Sequence, residues 1–165
     1  MLVLGIDPGS TVTGYGLVRR ERGRYRLVHA GAVKTRSKDP IPQRLHEIHG
    51  ELVAVIQAWS PDTVAIEAIF RHKSSESALR LGQARGVALL AAASAQRPIF
   101  EYNAMTVKKS VTGSGRADKK QIRRVVGMLT GADFSGLPDD AADAVAIAIT
   151  HLAHAPHHAA VERLR

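Results

Sequence analysis

The stretch GIDPGSTVTGYG occupies residues 5–16 and follows the apolar run Leu2-Val3-Leu4. It holds four glycines and a single acid, Asp7. A glycine-rich turn of this kind serves one of two chemistries. It cradles a nucleotide phosphate, or it ends a strand so that an acid meets a metal. The residues that follow separate the two. No Gly-Lys-Ser/Thr triplet completes a phosphate loop, and the pattern after Gly9 predicts a second strand where a phosphate loop needs a helix. Leu2, Leu4 and Ile6 alternate with Val3, Gly5 and Asp7 at the period of a strand, with Asp7 at its end. Gly9 lets the chain turn back, and Gly14 and Gly16 ease close backbone packing in the returning strand.

Outward from this stretch, residues 14–20 and 25–35 read as two further strands joined by a hairpin turn at Arg22-Gly23. Pro42 opens a helix striped by Leu45, Ile48, Leu52, Val55, Ile56 and Trp59, and Pro61-Asp62 ends it. Residues 63–67 form a short β-branched strand, 77–96 a helix rich in Ala and Gly, and 98–102 a fifth strand. Helical segments follow around 104–112, 119–130 and 139–154, with Gly113 and Gly131 as stops. Hairpins first and helical crossovers afterwards imply antiparallel and then parallel pairing. The expected fold is α/β: a mixed five-stranded sheet with helices on both faces. No repeat or linker divides the chain, so residues 1–154 are expected to form one domain and 155–165 a flexible tail.

Composition sets the function classes. The 165 residues include no cysteine, which excludes disulfides and thiolate metal sites. The N-terminus lacks the basic region of a signal peptide, and the longest weakly polar run, residues 86–95, is too short to cross a bilayer. The expectation is an intracellular protein without a membrane span. A formal net charge of +8 favours a polyanionic partner such as nucleic acid. Lys108, Lys109, Arg116, Lys119, Lys120, Arg123 and Arg124 stand against the one acid Asp118 around the flexible segment TGSGRADKK. Such a loop either follows a phosphate backbone or is a solvated helix face. Coincidence of charge imbalance with a glycine-serine loop favours phosphate contact.

The acids point to the chemistry. Asp7 and Glu67 each end a strand just after an isoleucine, so if those strands are parallel neighbours the two carboxylates meet at one sheet edge. In the segment PDDAADAVAIAITH, Asp140 and Asp143 are three apart and share a helix face that continues to Ile147. Singly, Asp7 is explained as a turn former and Asp140 as an N-terminal helix charge. Asp143 in an Ala- and Val-rich helix and Glu67 after Val-Ala-Ile have no such explanation. Buried like charges need a positive neutraliser, and oxygen ligands suit Mg²⁺ or Mn²⁺. Four carboxylates holding two metals, on a basic protein, suggest metal-dependent phosphodiester hydrolysis or a related phosphoryl transfer.

The segments GIDPGSTVTGYG, AIEAIF, SALRLGQARGVALLAA, FEY and DAADAVAIAITH, in order from residue 3 to about 151, resemble the RuvC-type crossover junction endodeoxyribonucleases. The resemblance implies an RNase H-like fold, a homodimer and Mg²⁺-dependent cleavage of four-way DNA junctions in recombinational repair. It further implies paired nicks on strands of like polarity, leaving 5′-phosphate and 3′-hydroxyl ends. A bacterial cytoplasmic setting and a RuvA–RuvB branch-migration partner are implied as well. The catalytic, metal-binding acids of that family fall on Asp7, Glu67, Asp140 and Asp143, with Asp139 as a second choice of register. Phe70 matches a family aromatic that stacks on bases, although its position alone would suit a core residue. Lys108 and Lys119 match basic DNA-binding positions, beside the extra cations Lys109 and Lys120. The helix around Gly82 and Gly86 would pack within the monomer on one face and across the dimer on another.

Two other classes fit parts of the pattern. A sugar-kinase-like ATPase shares the sheet order and an Asp-x-Gly-Ser/Thr turn, but 165 residues leave no room for its second lobe. A junction-binding module without chemistry would not need all four acids. His151, His154, His157 and His158 have no acid or cysteine to complete a metal set. Whether His72 or His151 assists catalysis stays open.

Overall fold

The computed structural model describes residues 1–68 and 74–162, with the backbone alone described for 156–162. Phe70 and His72 lie outside the described residues. Among the described residues five strands appear in the expected order: β1 (Leu2–Asp7), β2 (Val12–Glu21), β3 (Arg24–Lys34), β4 (Thr63–Ala68) and β5 (Ile99–Asn103). Among the same residues five helices join or follow them: α1 (Ile41–Trp59), α2 (Ser75–Ser94), α3 (Ala104–Thr112), α4 (Lys119–Thr130) and α5 (Asp139–Glu162). The sheet order is β3-β2-β1-β4-β5. β1 pairs antiparallel with β2 and β2 with β3, whereas β1–β4 and β4–β5 are parallel. This is the mixed sheet that the sequence pattern predicts.

Strand alternation sorts the core into two layers. Leu2, Leu4 and Ile6 of β1, with Val64 and Ile66 of β4, face α1 and α2. Val3 and Ala65 face the opposite side, among residues of α3, α4 and α5. Helices therefore cover both faces. Asp7 and Glu67 continue the alternation onto the α5 side, at the end where both strands stop.

Helix boundaries differ from the pattern by one or two residues in α1 and α2 and by eight at the end of α5. α2 begins at Ser75 rather than residue 77, because the Ser74 hydroxyl accepts the Ser77 amide at 3.2 Å and caps the helix early. α5 runs to Glu162, eight residues past the expected end at 154, so the backbone of most of the expected flexible tail is helical. Alanines 153, 155, 159 and 160 favour that continuation and outweigh the one amide lost at Pro156. Among the described residues no helix is long and apolar enough to cross a membrane.

Candidate active site

The parallel register pairs Ile6 with Ile66, so Asp7 and Glu67 leave the sheet side by side. β1 ends there because Pro8-Gly9 cannot extend the pairing. Above them, the first turns of α5 bring Asp140 and Asp143 over β2 and β1. Backbone proximity makes this possible. A Cβ on Gly5 would lie 2.0 Å from the Ala144 carbonyl oxygen, and one on Gly14 would lie 2.0 Å from that of Asp140. Glycine at these points lets a helix rest directly on two strands. The close packing expected of Gly14 is thus helix-on-sheet packing.

Asp7, Glu67 and Asp143 line a cleft of about 440 Å³ together with Lys108, Lys119, Ile147 and other apolar residues of α2, α3 and α4. Burial is the main cause that raises the Asp7 pKa well above the ordinary aspartate value. The charges of Glu67, Asp143 and Asp140 and a hydrogen bond with Glu67 raise it further. Burial also raises Glu67, against the opposing pull of Asp7, Lys108 and Lys119. Asp143 is raised by burial and partly relieved by Lys119, whose Nζ stands 3.3 Å from its Oδ2. Burial acts to lower the Lys119 pKa, but Asp143, Asp140 and Asp7 leave it raised, so the ammonium stays charged.

Asp140 acts on this group through its charge but does not line the cleft. Asp139 pairs with Arg123 at 2.7 Å, whereas Asp140 is the one of the two whose charge acts on Asp7. Among the described residues, no three acids or histidines converge closely enough to enclose a cation. The donor chemistry still fits a hard divalent cation: oxygen ligands only, buried, with more negative charge than their surroundings neutralise.

The basic residues divide by direction. Lys108 and Lys119 line the cleft, while Lys109, Arg116 and Lys120 are exposed and do not line it. The choice within each lysine pair follows from helix geometry, since adjacent residues lie about 100° apart around the axis. Among the described residues, His151 belongs to no group of acids and histidines that could hold a metal ion. It is buried against Phe100, with ring centroids 4.5 Å apart, and its Nδ1 lies 2.9 Å from the Tyr102 hydroxyl.

Sequence reasoning missed Arg44, which is 2 % exposed. Its Nε and Nη2 donate to the Ser10 carbonyl at 3.0 and 2.5 Å, and Nη2 also donates to the Ser10 and Thr11 hydroxyls at 3.1 and 3.0 Å. It therefore clamps the turn that follows Asp7. The signal was present: Arg44 lies on the stripe of Ile48, Leu52 and Val55, where an exposed arginine would not fall.

Residues 3–151 match the family model described as crossover junction endodeoxyribonuclease RuvC. The protein of that name from Alkaliphilus metalliredigens is 44% identical over 157 residues, covering 95% of each chain. That from Chloroflexus aggregans is 47% identical over 156 residues, covering 94% of this chain and 95% of the relative. The solved structure of T. thermophilus RuvC in complex with Holliday junction substrate superposes with a TM-score of 0.88 at 36% identity, over 96% of both chains. With the sheet order, the paired acids and these likenesses in agreement, the chain belongs to the RuvC family of crossover junction endodeoxyribonucleases, the Holliday junction resolvases.

Proposed function

We propose that Asp7, Glu67, Asp140 and Asp143 are the catalytic acids of this resolvase and hold its divalent cations, Mg²⁺ first and Mn²⁺ as the alternative, two per site. The observation that carries this reading is the adjacency of Asp7 and Glu67 on parallel strands, buried together under two further carboxylates. When bound, the cations supply an activated water and offset charge on the phosphate and the leaving oxygen. The hydroxyl of water adds to phosphorus, the bond to the 3′ oxygen breaks, and the proton ends on that oxygen. The products are a 5′-phosphate and a 3′-hydroxyl.

The chain's own groups prepare this step. Burial makes the acids costly to ionise without a cation, which ties their charged state to metal occupancy. Lys119 and Lys108 place positive charge in the cleft beside the acids, where the scissile phosphate would lie. Lys109, Arg116 and Lys120 extend that charge along the rim for the adjoining backbone. Phe70 is assigned to base stacking near the crossover, on family resemblance alone. Residues 1–154 carry the nuclease domain.

Paired nicking needs two sites, and α2 supports a homodimer. Ala84, Ala88, Ala91 and Ala92 pack inward, whereas Leu79, Gly82, Gly86 and Leu90 form an exposed face. A Cβ at Gly82 or Gly86 would meet nothing within 4 Å in the monomer. A second copy seated there would set two clefts on one junction. Cooperation with RuvA–RuvB in a bacterial cytoplasm completes the reading.

The test is cleavage of a mobile four-way junction mapped to nucleotide resolution with Mg²⁺, Mn²⁺ or a chelator. Symmetric metal-dependent nicks are expected, and cutting that persists in chelator would sink the metal assignment. Leu90→Glu, read by sedimentation, is expected to give monomers that bind junctions but no longer make paired nicks.

A further inference from the structure

The β2–β3 hairpin carries the sequence RRERGRYR at residues 19–26, five arginines against the single acid Glu21. It lies at the far end of the sheet from the acids. Asp7 pairs with Gly14, whereas Arg19 pairs with Leu2 at the opposite end of β1, and the ribbon continues past it to Gly23. Nine residues of strand from Gly14 to Gly23, at about 3.3 Å each, span roughly 30 Å.

The arginines are presented on a fixed frame. Arg22 and Gly23 both have positive φ, at 49° and 80°, as a tight two-residue hairpin turn requires. Cross-strand pairing sets Arg19 opposite Arg26 and Glu21 opposite Arg24. Glu21 contacts Arg19 at 3.5 Å and Arg26 at 3.9 Å, which orders two guanidinium groups without cancelling the set. On the other face Arg20 lies over the Tyr25 ring, 5.9 Å from its centroid, and Tyr25 is packed on the core. Among the described residues Arg22 and Arg24 have no acidic partner. Glu21, Arg22, Arg24, Tyr25 and Arg26 line an open concavity of about 950 Å³.

We propose that this hairpin is a second DNA-contact site, which grips the phosphate backbone of a duplex arm about one helical turn away from the crossover. The proposal rests on the reading that the junction's branch point sits at the cleft of Asp7 and Glu67. A duplex rises about 3.4 Å per base pair, so an arm running along the β2–β3 flank reaches the hairpin after roughly nine pairs. Guanidinium forks match phosphate oxygens, and a two-stranded ribbon has the width to lie along a duplex groove. Phosphate contact so far from the cleft would orient an arm without reading its sequence.

The test compares wild type with the triple variant Arg22→Ala, Arg24→Ala, Arg26→Ala on two junctions. One has arms of about 20 base pairs, and the other has loop-closed arms of about 6, too short to reach the hairpin. On long arms the variant is expected to bind on the order of tenfold more weakly, with a salt-dependence slope smaller by about 2–3. On short arms the two proteins are expected to bind alike, and cleavage at saturation is expected to match on both substrates. An equal loss on short arms, or no loss on long ones, overturns the proposal. In the second case the hairpin is left to a different partner, such as an acidic protein surface. If wild type fails to cut the long-armed junction, the failure belongs to the cleft reading and removes the basis of this one too.

Discussion

Gly14 lies directly beneath the backbone of Asp140, so close that a Cβ at position 14 would fall 2.0 Å from the Asp140 carbonyl oxygen. Gly14 is also the cross-strand partner of Asp7. One glycine therefore sets the height of the helix that carries two acids above the strand that carries another. Gly14→Ala must lift the start of α5, because backbone cannot yield as a flexible side chain does. Overpacking of this kind costs about 1–3 kcal/mol, and a displacement of about 1 Å at a reacting centre costs on the order of 100-fold in rate. Junction cleavage is expected to fall by that order with a modest loss in urea midpoint. A Gly14→Ala protein with wild-type cleavage would show that the acids do not depend on this contact.

Asp7→Asn separates charge from fold. The folded-state pKa of Asp7 is raised by burial and by neighbouring acids. Without metal, its contribution to stability is complete below the ordinary aspartate range and is lost as pH rises through the folded value. Wherever it is ionised, the buried carboxylate is thus a burden on the metal-free fold. Asparagine removes it, so the variant is expected to melt higher than wild type in chelator. Added Mg²⁺ should raise the melting temperature of wild type more than that of the variant. Cleavage should drop on the order of a thousandfold while junction binding survives. A variant that melts lower in chelator would contradict the electrostatic reading.

Arg44→Lys keeps a positive charge but loses the fork that reaches Ser10 and Thr11 together. Hydrogen bonds to charged groups contribute about 1.5–3 kcal/mol each, so a loss of about 2 kcal/mol in stability is expected. The turn after Asp7 loosens at the same time, and the maximal cleavage rate is expected to fall more than junction affinity. Single-turnover cleavage beside binding measurements checks this, and an unchanged rate with reduced stability would limit Arg44 to a folding role.

Burial pushes the Tyr102 hydroxyl up to about 12 from an ordinary 10.0. Between those values the unfolded chain releases its proton while the folded chain keeps it, so stability falls as pH rises through the window. Urea unfolding at about pH 9 and about pH 11 should show that fall in wild type and a shallower one in Tyr102→Phe. Equal slopes in the two proteins would refute it.

Much of this architecture was legible in the chain. Alternation in residues 2–7 and 63–67, the Pro42 and Gly113 boundaries and the order of hairpins before crossovers lead to the mixed sheet, because strand and helix periods are local properties. Glu67 and Asp143 stood out because acids at such apolar positions demand a partner. That Lys108 and Lys119 rather than their neighbours line the cleft, and that Asp139 pairs with Arg123, needed tertiary structure, since both depend on how α3, α4 and α5 are rotated against the sheet. Arg44 was hidden for the same reason: its partners are 33 to 34 residues away in Ser10 and Thr11. The sequence by itself determined which elements form and which acids cannot be left alone. Only the tertiary structure decided how close they come, because that distance is set by backbone contact between Gly5, Gly14 and α5, a packing relation between segments remote in the chain.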